Sequence, residues 1–180
     1  MTIEINEKGS PEFYKETVNV VTQYRYLIKK PRRRLRDYFR QLLYAGLLCC
    51  ALLALLAVLT AAAGPDALAN AAMGVMVFCA VLCFAFLFNM KKLLRRMLAD
   101  ERPSVLTLDE NGVELRKGSS QTVRIGWSNV AFVRVFKESV CFFSSDPSGF
   151  VISVTRRYDE RIASFLRTAR PDITLIGWGE

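Results

Sequence analysis

The chain has 180 residues, 52% of them hydrophobic, with 25 Lys and Arg against 17 Asp and Glu and a net charge of +8. It has no His, the side chain most used for proton transfer near neutrality and for metal binding. It also lacks a Gly-rich phosphate loop, paired-Cys zinc spacing and a nucleophile elbow, so the expectation is a non-enzyme with no cofactor and no bound metal. A basic excess raises the nucleic-acid reading, but twelve of the 25 basic residues fall within 25–40 and 91–96 beside a single acid, Asp37. Residues 104–180 carry ten basic and nine acidic groups, and no nucleic-acid partner is expected.

The first 40 residues read as a short extended piece followed by a helix. Ser10-Pro11-Glu12 supplies an N-cap, a proline at the first helical position and an acid in the first turn. Tyr14, Val18, Val21 and Ile28, with Tyr24 alongside, recur at helical spacing and predict one apolar face. That face is expected to pack on the C-terminal domain rather than lie among lipid headgroups, because the basic residues cluster after the helix. Pro31 ends or kinks it before the arginine run.

Residues 41–65 and 67–90 carry no charge and are separated by Asp66. At about 1.5 Å per residue, some 20 helical residues cover the roughly 30 Å hydrocarbon core of a bilayer. Two spans at about 42–63 and 68–90 are predicted, joined by a tight turn at Gly64-Pro65-Asp66. Basic residues flank both outer ends and none lies in the turn, so both termini are expected in the cytoplasm. No cleavable signal precedes the first span, which is read as an uncleaved anchor. The nine residues nearest the spans, Arg32, Arg33, Arg34, Arg36, Arg40, Lys91, Lys92, Arg95 and Arg96, are the candidate non-specific contacts to anionic lipid.

Small residues four apart, Ala57 and Ala61, Ala67 and Ala71, Asn70 and Gly74, predict close helix approach and leave room for a homo-oligomer. Cys49, Cys50, Cys79 and Cys83 lie within the spans and are read as small packing residues in preference to a soft-metal or redox site. Cys141 falls in the part expected to stay reduced.

A basic linker occupies 91–103, and after Pro103 the period changes from helical to two. Six short strands are predicted at 104–109, 113–117, 121–127, 130–137, 140–144 and 150–155. Turn chemistry separates them at Asn111-Gly112, Gly118-Ser119-Ser120, Ser128-Asn129 and Asp146-Pro147-Ser148-Gly149. A helix follows over 158–170, with Ile162, Phe165 and Leu166 on one face, then Pro171 and an extended piece at 173–176. The expected class is an α+β membrane protein: a transmembrane helical hairpin followed by a small pleckstrin-homology-like (PH-like) antiparallel β domain with one capping helix. Its expected parts are 1–40, 41–90, 91–103 and 104–180.

The hairpin, the Asn111-Gly112 turn, Ile125-Gly126-Trp127, Val151-Ile152-Ser153-Val154 before Arg156-Arg157 and the closing helix together resemble the YcxB-like family. Two-span bacterial proteins with other PH-like domains are a neighbouring resemblance. The resemblance implies a bacterial inner-membrane location and a PH-like cytoplasmic domain, with no established activity. The expected role is a membrane-tethered module that binds a protein or peptide at a sheet edge or beside the final helix. Residues 130–137 and 158–166 would border that groove. Anionic-lipid sensing is the alternative, as is an accessory subunit of a transporter or channel, although neither span has an interior charge. For a phosphate ligand the turn Asp109-Glu110-Asn111-Gly112 is unfavourably acidic, and Lys117, Arg124, Arg134, Lys137, Arg156 and Arg157 are better placed.

Overall fold

The computed structural model describes residues 1–5, 9–64, 67–99, 104–118, 121–146 and 150–178. The expected features at Pro65-Asp66, Pro103, Ser119-Ser120 and Pro147-Ser148-Gly149 lie outside these residues. In chain order the elements are β1 (Thr2–Ile5), α1 (Pro11–Thr22), α2 (Tyr24–Lys29), α3 (Tyr38–Ala63) and α4 (Ala67–Ala99). Then come β2 (Ser104–Leu108), β3 (Gly112–Lys117), β4 (Gln121–Gly126), β5 (Val130–Val135), β6 (Ser139–Ser144), β7 (Val151–Thr155), α5 (Asp159–Ala169) and β8 (Leu175–Ile176). The class is α+β. The chain forms two units, one of residues 1–35 with 96–180 and one of residues 36–95. The N-terminal 35 residues thus fold in one unit with the β domain.

The first unit holds two four-stranded sheets, β1-β2-β3-β4 and β7-β6-β5-β8. Neighbours are antiparallel except β8, which runs parallel to β5. Local chemistry builds the first hairpin. Asp109 Oδ1 accepts from the Asn111 and Gly112 amides at 2.8 and 2.9 Å, an Asx turn. Gly112 is required because a Cβ there would run into the Ile125 carbonyl oxygen. The main core gathers Ile3, Leu106, Leu108, Val113, Ile125 and Trp127 from the first sheet with Val133, Val140, Phe142, Ile152 and Val154 from the second. Ile162 and Leu166 of α5 close it.

Every residue of β6 is buried, since its sheet is covered on both faces. Val140 and Phe142 face the main core, while Cys141 and Phe143 join a second cluster with Phe132, Phe136, Ile176, Val20 and Leu27. The N-terminal helices supply this outer cover. Ser10 Oγ caps α1 by accepting from the Phe13 amide at 3.0 Å, as its sequence predicts. Tyr14 and Val18 of the predicted apolar face are buried, but Val21 is 50% exposed, and Phe13 and Val20 are buried with them in its place. The helix breaks at Gln23, whose amide bonds to the Asn19 and Val20 carbonyls. Val20, Gln23 and Leu27, at i, i+3 and i+7, are all buried, so α2 continues the buried face of α1.

In the second unit, α3 starts at Asp37, whose side chain accepts from the Arg40 amide at 3.3 Å. It ends at Gly64, where φ of 91° suits only glycine. Both α3 and α4 are long and apolar enough to cross a membrane, and only 6% and 11% of their most apolar windows are buried. Ala57, Ala61, Ala67, Ala71, Asn70 and Gly74, the residues expected at a close helix contact, are all exposed. Close approach occurs instead at Gly46, where a Cβ would lie 2.9 Å from the Phe84 ring. The linker expected over 91–103 is helical to Ala99, continuous with α4. Lys91, Lys92, Arg95 and Arg96 are spaced to share one face of it, while Leu94, Met97 and Leu98 fall on the other.

Candidate functional site

The groove expected between 130–137 and 158–166 is occupied by the chain itself. After α5, the backbone turns so that Leu175 and Ile176 lie beside Val133 and Arg134 of β5. The Val133 amide donates to the Thr174 carbonyl at 3.0 Å. The segment's side chains serve both faces of the sheet: Ile173 enters the main core, and Ile176 enters the cluster beneath α2. Gly177 then takes φ of 84°, and a Cβ there would lie 2.8 Å from the Val135 carbonyl oxygen. Trp178 packs against the main core and donates from Nε1 to the Asp159 carbonyl at 3.3 Å.

Beside this segment, α5 carries two open depressions. One, of about 550 Å³, is bordered by Ala163, Arg167 and Trp178, and the other, of about 570 Å³, by Met1, Arg161 and Phe165. Both share Glu160, Ser164 and Thr168, so a mixed polar stripe of α5 separates them. Neither is the enclosed apolar cavity that a small molecule prefers.

The nine juxtamembrane basic residues, Arg32, Arg33, Arg34, Arg36, Arg40, Lys91, Lys92, Arg95 and Arg96, are all exposed. Arg134 shapes the backbone next to the first three. Its Nη1 donates to the Pro31 carbonyl and, at 2.7 Å, to that of Arg33. Its guanidinium lies 4.5 Å from the centre of the Phe136 ring, a cation–π contact. The other basic residues named for a phosphate site do not converge. Arg124 pairs with Asp109 at 3.5 Å, Lys137 with Glu138 at 3.5 Å and Arg156 with Asp159 at 3.3 Å. Backbone donors from Asn111 and Gly112 hold the Asp109 carboxyl below its usual range, which keeps that turn anionic.

A polar chain, buried at Ser139 and Cys141 and half-buried at its ends, runs under α1, and nothing in the sequence patterning marks it. Glu16 Oε1 accepts from Ser139 Oγ at 2.6 Å and from the Glu138 amide at 3.0 Å. Cys141 Sγ lies 3.4 Å from Ser139 Oγ and 3.3 Å from Ser153 Oγ. Burial pushes the Cys141 thiol up to about 11, so at neutral pH it is a protonated packing group. Of the span cysteines, Cys49 and Cys83 are half-buried and Cys50 and Cys79 exposed. Among the described residues no three Cys, Asp or Glu side chains come together to hold a metal.

The arrangement is that of an α+β chain with a two-sheet domain, a sheet edge closed by its own C-terminal segment, and two uncovered apolar helices. No protein-family model, curated protein or solved structure matches this chain.

Proposed function

We propose that the chain is a two-span protein of the bacterial inner membrane whose first unit is a PH-like module binding a protein or peptide partner near the bilayer. The observation that carries the membrane reading is the lack of cover on α3 and α4. A helix in the core of a soluble domain buries its apolar residues, whereas these leave Leu47, Leu48, Val58, Phe78 and Phe88 at the surface, where hydrocarbon is the fitting solvent. Basic residues before α3 and in the last turns of α4 support a cytoplasmic position for both termini. A cysteine introduced by Asp66→Cys is expected to react with an impermeant reagent from outside intact cells. Labelling only after lysis overturns the orientation.

The PH-like reading is supported by strand order: four strands, then an antiparallel three, then one helix closing the core. Covalent continuity with the spans at residues 35–36 and 95–96 tethers the module to the membrane and raises its effective concentration for partners there. Extraction into native nanodiscs, with mass spectrometry of what co-purifies, tests the role. A stoichiometric protein is expected, lost when Ile125→Asp and Phe142→Asp disrupt the first unit while the spans still insert.

An enriched anionic lipid without a protein would favour the second reading, a lipid-sensing module. The exposure of all nine juxtamembrane basic residues supports that reading, at up to about 1 kcal/mol per residue near an anionic surface.

A further inference from the structure

We infer that the edge of β5 is a peptide-docking site that the chain's own segment 173–178 keeps closed, and that a partner enters by displacing this segment. The inference rests on the interaction-module reading and names where the partner binds. Four observations carry it. First, the attachment is minimal: β8 has two residues, and it is the one parallel pairing in the described sheets. Second, its anchors sit at the rim, with Ile173 8% and Ile176 9% exposed, whereas Val133, Phe142, Phe143 and Leu166 around them are fully buried. Third, its path needs a left-handed Gly177 against the Val135 carbonyl, a bend that turns the chain out of β8 towards Trp178 and that no other residue makes without strain. Fourth, β5 keeps its other edge paired with β6 from Phe132 to Val135 and at Val130, with a register shift between them, so losing β8 leaves the sheet intact and one strand edge open. Open edges of this kind accept extended peptides through main-chain hydrogen bonds, and side-chain pockets set the specificity.

The resident segment states the chemistry of the visitor. Ile173 fills a pocket under α5, Ile176 fills one beneath α2, and Trp178 covers the end of the groove near Asp159. The partner is therefore an extended segment with two aliphatic residues three apart, on opposite faces of the strand, followed by an aromatic.

The test uses the full chain in nanodiscs. Hydrogen exchange is read at 173–178 and at β6, and a fluorescent peptide of the chain's residues 171–178 is titrated in trans. The expected result is that 173–178 exchanges at least about tenfold faster than β6 under native conditions. Ile176→Asp and Gly177→Val are expected to release the segment while β6 stays protected. Both variants should bind the peptide at least about tenfold more tightly than the unaltered chain. The inference is overturned if 173–178 exchanges in step with β6, if both variants lose protection throughout the domain, or if released variants do not take the peptide. A co-purifying protein that binds the unaltered chain and both variants equally also overturns it, while leaving the interaction-module reading in place.

Discussion

Cys141 has its environment decided by neighbours far apart in the chain. The thiol sits in β6 between Ser139 and Ser153, under α1, and it keeps its proton up to about 11 against an ordinary value of 9.0. In the unfolded chain the proton leaves near that ordinary value, so between about 9 and 11 the folded state binds more protons than the unfolded one. Stability must then fall as pH rises through this window, by up to about 1.4 kcal/mol per pH unit and about 2 kcal/mol in all. Denaturant unfolding of the unaltered protein and of Cys141→Ala at pH 8, 9, 10 and 11 measures it. The difference in slope is expected to appear only above pH 9. Tyr24, raised by burial and by Asp146, titrates in both proteins and cancels. The sequence identifies Cys141 as a strand residue expected to stay reduced. The carboxylate two bonds away along the polar chain, Glu16, comes from a helix more than 100 positions earlier and leaves no local trace.

At the scale of elements, α1 and α2 act as a cover bolted to the second sheet. The bolt is Glu16, which accepts from the Glu138 amide and the Ser139 hydroxyl. Removing a charged acceptor of two such bonds costs about 2 kcal/mol. Glu16→Ala is therefore expected to favour local opening of α1 about 30-fold, and Cys141 should react with a thiol reagent faster by the same factor. Glu16→Gln keeps an acceptor oxygen and should show a smaller increase. Reaction rates are read below the unfolding transition, and an unchanged rate for Glu16→Ala would mean that α1 docks without this contact. The start of α1 and its amphipathic character are legible in Ser10-Pro11-Glu12 and the apolar spacing, because caps and periodicity are local. The exact buried face is not, since Val20 and Val21 are equally apolar and only the packed sheet selects which of them turns inward.

For the whole molecule, the domain is assembled from both sides of the spans. Strand β1 pairs with β2 from Thr2 against Thr107 to Ile5 against Ser104, and α1 and α2 shield Phe132, Phe136 and Phe143. Uncovering three such rings costs about 2 kcal/mol each, a total comparable with the 5–15 kcal/mol stability of an ordinary domain. Residues 104–180 alone are therefore expected to be molten or insoluble. A chain joining 1–35 to 96–180 should fold, with near-UV circular dichroism and Trp127 fluorescence as the readouts. A folded 104–180 fragment would show that the N-terminal cover is dispensable.

The sequence by itself determined the elements that depend on short-range physics. Two uncharged runs are long enough to span hydrocarbon, Asn-Gly and Asp-containing turns cut the β region into strands at almost their observed limits, and Pro171 stops the last helix. Tertiary structure alone decided the pairings between distant segments. Among them are β1 on β2, β8 parallel to β5, Gly46 rather than Gly74 at the helix contact, and Arg134 on the carbonyls of Pro31 and Arg33. Each joins residues whose local signals fit several partners equally well, and the choice falls to whichever arrangement fills the core and satisfies the buried backbone.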